Sequence, residues 1–172
     1  MKHVILIGFM GAGKTSIGKK LARRQDCRFV DTDLLIEKEQ GCRISEIFEK
    51  HGEKYFRDLE TETLKKLLSE QEPMVIAVGG GLPVREENRR LMAKLGMAVY
   101  MKASAETLYR RLQGDQKRPL LQGGDLKERI LTLMDAREEI YEDAAQITYC
   151  TDGKTFKQTV EELNELILQE SL

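Results

Sequence analysis

At 172 residues with 41% apolar side chains, the chain is long enough to fill one core and too short for several domains, so a single domain over 1–172 is expected. Its 28 basic and 29 acidic residues leave a formal charge of −1, which gives no bulk pull toward nucleic acid or an anionic membrane. Cys27, Cys42 and Cys150 are odd in number, far apart, and match neither a Cys-x-x-Cys motif nor a zinc spacing.

The first apolar run, Val4 to Ile7, is only four residues long before Gly8 and leads to more glycines rather than a cleavage site, so neither a targeting nor a spanning segment is expected. A helical pattern follows from Lys14 to about Arg24, with Ile17, Leu21 and Ala22 on one face. A second short run at 28–31 precedes helical stretches over 33–40, 45–51 and 53–71, with Gly41 and Gly52 placed as C-terminal stops. Runs at 74–78 and 97–101 read as strands apolar on both faces, and a last strand falls near 146–150. Helical patterns return at 85–94, 104–112, 125–139 and 155–169. Strands without polar alternation, separated by helices, predict an α/β doubly wound parallel sheet with ligands at the carboxyl ends of its strands. The segment 113–125, rich in Gly and charge and interrupted by Pro119, reads as a mobile loop.

Gly8 to Thr15, "GFMGAGKT", matches G-x-x-x-x-G-K-[ST] and lies after a strand and at the opening of a helix, where that motif must lie. Backbone N–H groups over Gly11, Ala12, Gly13, Lys14, Thr15 and Ser16 would converge on phosphate, Lys14 would reach the β- and γ-phosphates, and Thr15 would offer a hydroxyl to Mg²⁺. The motif implies a nucleoside triphosphate but not its fate. NTPases that activate water often place an Asp at the end of a second apolar strand; here 74–78 ends in Gly79, Gly80 and Gly81, and the acidic residues that follow a strand are Asp31 and Asp33. That favours a small kinase over a water-splitting machine.

Asp31 and Asp33 could orient an acceptor hydroxyl and support a metal, whereas Thr32 or Asp33 could simply cap the next helix; the segment alone admits both readings. Arg57, four residues after Glu53 and three before Glu60, fits a solvated salt-bridge ladder as well as a ligand site, and Arg137 has the same two readings. Three successive glycines at 79–81 could simply form a turn, or could let something approach the backbone closely at the strand's carboxyl end.

Taken together, Gly8 to Thr15, "DTD" at 31–33, "FRDLE" at 56–60, "GGG" at 79–81, "RPLL" at 118–121 and Arg137 before "YEDAA" resemble, in order and spacing, the shikimate kinases over nearly the full length. The resemblance implies the nucleoside-monophosphate-kinase-like P-loop fold: a five-stranded parallel sheet in order 2-3-1-4-5, a substrate-binding helical region at about 32–61 and a lid at about 112–125. It implies ATP-dependent phosphorylation of the 3-hydroxyl of shikimate, in chorismate and aromatic amino acid biosynthesis. By position it assigns Asp33 to the substrate hydroxyls as candidate base, Asp31 to Mg²⁺ beside Thr15, and Arg57 and Arg137 to the shikimate carboxylate. Gly79 and Gly80 become backbone contacts to substrate, and Arg118 the lid arginine over the phosphates. Either Arg110 or Arg111 would lie near adenine, and a role for the loop 151–154 stays open. One Mg²⁺, ATP as co-substrate, a monomer and a cytoplasmic location are the accompanying expectations. A kinase for gluconate or a nucleotide would not need two carboxylate-binding arginines beside "DTD" and "GGG", and a silent kinase-like module tends to lose the lysine, aspartates or lid arginine kept here.

Overall fold

Short apolar runs become the middle of a sheet. The computed structural model describes residues 3–115 and 119–172. Its strands are β1 (His3–Ile7), β2 (Arg28–Asp31), β3 (Met74–Ala77), β4 (Gly96–Lys102) and β5 (Ile147–Cys150). They run parallel in the order β2-β3-β1-β4-β5, the order expected from the resemblance. β1 lies between β3 and β4, every one of its residues is buried, and Ile5 faces Ile76 on one side and Ala98 on the other. β5, at an edge, alternates buried and exposed residues, the pattern of a strand covered on one face. Each large aliphatic buried this completely contributes about 1.5–3 kcal/mol of transfer free energy, which makes the β1–β3–β4 centre the firm part of the scaffold.

The helices are α1 (Lys14–Arg24), α2 (Thr32–Gln40), α3 (Ile44–Leu67), α4 (Glu86–Leu95), α5 (Ala105–Leu112), α6 (Leu126–Ala144) and α7 (Phe156–Glu170), with 3-10 turns at Leu82–Val84 and Pro119–Leu121. α1 buries Ile17, Leu21 and Ala22, the face anticipated from spacing, and also Gly18, where a Cβ would stand 2.5 Å from the Phe29 ring. Ser104 caps α5, and Thr155 with Gln158 forms a capping box at α7, so both helices begin one residue after the expected position. Two expected ends shift. The stretch 53–71 leaves helix at Leu67 and continues as turns, while the helix expected to stop at 139 runs on to Ala144 because Tyr141 is buried.

The stop expected at Gly52 is a sharp break inside α3, where Gly52 adopts φ 83, ψ 173 between two helical halves. The first half carries Ile47 and Phe48 and the second carries Phe56, Arg57 and Glu60; Ile36, Ile47 and Phe56 form a small apolar cluster of their own. This backbone region is open essentially to glycine alone, and a Cβ at Gly52 would meet nothing within 4 Å, so the cost of any side chain there is conformational and not steric. Gly52→Ala is therefore expected to destabilise by about 1–3 kcal/mol, seen as a lower thermal midpoint. An unchanged midpoint would show that the break is not held in this conformation.

Candidate active site

The site grows from the carboxyl edge of the sheet. After β1 the chain turns through Gly8 to Gly13, and Gly13, at φ 92, stands at the amino end of α1. No side chain caps that helix and its first turn holds no acidic residue, so its N–H groups and positive dipole are left to an anion. The Lys14 ammonium donates to the carbonyls of Gly8 at 2.6 Å and Phe9 at 3.0 Å, tying the loop to itself. Gly11, Gly13, Lys14, Thr15 and Ser16 line a cleft of about 1050 Å³, while Ala12 is buried behind them.

β2 delivers the aspartates to the same cleft. Thr15 donates its hydroxyl to Asp31 Oδ2 at 2.7 Å, and the other oxygen, Oδ1, accepts from Leu34 N at 3.2 Å. Asp31 is therefore the cap of α2, a correction to the expectation that Thr32 or Asp33 would serve; its two oxygens divide between the helix end and Thr15. Thr32 is fully buried, and its hydroxyl accepts from Gly79 N at 3.2 Å, fastening β2 to the glycine run. Asp33 leans over Gly79, where a Cβ would come within 2.7 Å of Asp33 Oδ1 and 2.9 Å of Glu60 Oε2.

Arg57 does keep the predicted spacing to both glutamates, but it is not a solvated ladder. It bonds Glu60 Oε1 at 2.6 Å and Glu53 at 3.3 Å, and its side chain is only 12% exposed. The guanidinium covers Gly81, where a Cβ would overlap it. At Gly79 and Gly81 the side chains of Asp33, Glu60 and Arg57 fill the space a Cβ would take, whereas Gly80 is approached by the Met10 N at 3.3 Å. Glu60 is fully buried, and that burial pushes its carboxyl up to about 7; Asp33 pushes the same way, while Arg57 and Arg137 pull against it. Arg137, on α6, is 5% exposed and stands behind Gly80 without lining the cleft, its Nη1 3.5 Å from where a Gly80 Cβ would lie. Glu60 Oε2 and Arg137 Nη1 are buried with no hydrogen-bond partner among the described residues.

Met10, Leu34, Phe48 and Phe56 supply apolar wall, and Gly114, Asp115, Pro119 and Leu120 bring the expected lid to the cleft; Arg118 lies outside the described residues. Of the two arginines on α5, Arg111 reaches the phosphate loop, donating to Gly11 O at 3.0 Å. Asp152 accepts from Ser104 N at 3.1 and 3.2 Å, joining the 151–154 loop to the start of α5. Sequence reasoning saw Glu60 only as a partner on a surface ladder. Its place beside the glycine run was the missing signal, and it depends on the β2–β3–β1 order.

The family model for shikimate kinase matches residues 10–168. The chain belongs to the shikimate kinase family. The shikimate kinase of Thermodesulfovibrio yellowstonii is 44% identical over 170 residues, covering 99% of this chain and 95% of that one. That of Geobacter sulfurreducens is 43% identical over 162 residues, 94% and 88% of the two chains. Among solved structures, shikimate kinase from Acinetobacter baumannii in complex with shikimate superposes with TM-score 0.95 at 34% identity, covering 100% of this chain and 96% of that one. The Aquifex aeolicus shikimate kinase superposes with TM-score 0.85 at 36% identity, covering 99% and 98%.

The raised Glu60 carboxyl has a measurable sign. Between the ordinary value of 4.5 and about 7 the folded chain keeps a proton that the unfolded chain has released, so stability falls as pH rises through that window and levels off above it. Glu60→Gln lacks this titration. Measured from pH 4.5 to 8, the thermal midpoint of the wild type is expected to fall by a few degrees relative to Glu60→Gln. Parallel curves would show that Glu60 is ionised throughout.

Proposed function

We propose that this shikimate kinase performs the ATP-dependent phosphorylation of shikimate with the residues gathered between β1, β2 and β3, as one kinase domain over 1–172. The observation that carries the reading is the pair of buried orphan atoms, Glu60 Oε2 and Arg137 Nη1, set around a glycine run that faces the phosphate loop. Backbone N–H groups from Gly11 to Ser16, with Lys14, hold the triphosphate, and Asp33 receives the acceptor 3-hydroxyl and orients it in line. Little bond formation precedes the loose transition state, so Asp33 acts chiefly by orientation and accepts the hydroxyl proton late. Arg57 and Arg137 hold the shikimate carboxylate by charge-assisted pairs, and Gly79 and Gly80 let the substrate approach the backbone. On the "RPLL" motif, Arg118 is the lid arginine that completes the positive charge around the transferring group.

The donors beside the phosphate loop suit Mg²⁺. The Thr15 hydroxyl and Asp31 Oδ2 stand 2.7 Å apart beside the phosphate loop, hard oxygen donors of the kind that hold Mg²⁺ together with phosphate and water. A Mg²⁺ there would neutralise charge between the β- and γ-phosphates. Among the described residues no helix is long and apolar enough to cross a membrane. We place the protein in the cytoplasm as a monomer, on its scattered, unpaired cysteines and nearly balanced charge.

A coupled ADP-release assay with shikimate, gluconate and nucleoside monophosphates tests the substrate directly; turnover with shikimate alone is expected, and turnover only with another acceptor overturns it. Asp33→Asn should lower kcat by about 100-fold or more with ATP binding retained, since it keeps the shape and removes the acceptor charge. Arg57→Ala should weaken shikimate binding by about 1.5–3 kcal/mol, a lost charged hydrogen bond, with the ATP KM little changed.

A further inference from the structure

Arg137 and Tyr141 stand four residues apart on α6 and therefore share a face. Tyr141 is among the largest fully buried side chains of the molecule, and its hydroxyl donates to the carbonyl of Gly80 at 2.5 Å across 61 positions of sequence. Its ring leans on Tyr100 of β4, with centroids 5.2 Å apart and planes at 41°. Two residues along β4, Lys102 bonds Glu138 at 2.8 Å and Glu142 at 2.9 Å, on either side of Tyr141 along the helix. α6 is thus fastened to the firm centre of the sheet at the very turn that carries Tyr141, and the hydroxyl reaches Gly80 from a rigid mount.

The Gly80 peptide is wedged as well as bonded. A Cβ at Gly80 would lie 3.3 Å from Met10 N, 3.5 Å from Gly8 O and 3.5 Å from Arg137 Nη1, so the residue sits between the phosphate loop and the arginine. Because a trans peptide points its N–H opposite to its C=O, holding the Gly80 carbonyl toward α6 turns the Gly81 N–H away from α6. Among the described residues neither Gly80 N nor Gly81 N donates to a protein acceptor. Burial keeps the Tyr141 hydroxyl in its neutral form, against the Arg137 cation and the hydrogen bond between that guanidinium and the hydroxyl, so the one hydroxyl engages both Gly80 and Arg137.

We propose that Tyr141 is a positioning residue of the acceptor site: its hydroxyl fixes the orientation of the Gly80–Gly81 peptide and holds it against Arg137, so that backbone N–H and guanidinium meet the substrate carboxylate as one preset unit. The inference rests on the reading that Arg137 and the glycine run hold that carboxylate. It is tested in the full chain with Tyr141→Phe, which keeps the ring and deletes the hydroxyl, alongside Arg137→Ala and Lys102→Met.

Tyr141→Phe is expected to raise the shikimate KM about tenfold, with the ATP KM within about twofold of wild type and the thermal midpoint lower by no more than a few degrees, the cost of one hydrogen bond. Lys102→Met, which loosens the mount at a partly exposed position, should give a smaller rise in the same constant alone. If Arg137→Ala raises the shikimate KM while Tyr141→Phe and Lys102→Met leave it unchanged, the positioning role is overturned and the carboxylate reading stands. If Arg137→Ala has no effect on it, the carboxylate reading fails and takes the inference with it. A Tyr141→Phe enzyme whose two KM values rise together as its thermal midpoint drops would make Tyr141 a core residue only, which also overturns the proposal.

Discussion

Parallel strands all end at the same edge of their sheet, and in this protein the hydrogen-bond register decides which of those ends are level. Leu6 of β1 and Asp31 of β2 both stand opposite Ala77 of β3. The phosphate loop, the aspartates and the glycine run therefore leave the sheet side by side, although about 70 residues separate the first from the last. A slip of one residue in β3 would invert its side chains and carry Gly79 away from both Thr32 and the phosphate loop. The spacing between the phosphate loop and the glycine run is thus a property of the buried core of Ile5, Leu6, Val75 and Ile76, and it inherits that core's rigidity.

On that edge the chain gathers two acids and two guanidiniums, Asp33 and Glu60 with Arg57 and Arg137, over glycines that leave them room. An uncompensated cation at this depth would be expensive, and Arg57 has Glu60 and Glu53 as counter-charges. Glu60 can take up a proton near neutrality, so the net charge of the cluster changes with pH. Thr61, one residue on, donates its hydroxyl to the buried Asn88, whose amide in turn donates to Leu82 O. The helix bearing Arg57 is in this way pinned to the turn that follows the glycines.

Much of the fold was legible from sequence because a buried parallel strand and an amphipathic helix leave different periodicities. The unalternating runs at 4–7 and 74–78 became the centre of the sheet, and Gly41 and Gly52 marked real interruptions. Strand order, lid and ligand roles came from the family resemblance, since periodicity says nothing of which strands neighbour. What stayed hidden was tertiary. Spacing alone cannot tell a buried Glu60 from a surface one, nor choose Asp31 over its neighbours as the cap when one carboxylate serves two partners. Tyr141 drew no attention as a single residue because its partner, Gly80, lies in a distant segment that only the folded chain brings near.

The Lys14 ammonium, bonded to the carbonyls of Gly8 and Phe9, bears on how such a loop holds its shape. A lysine held this way spans the loop from within, so part of the ordering entropy of that loop is met by folding. The loop's shape is in this way written into the folded chain itself.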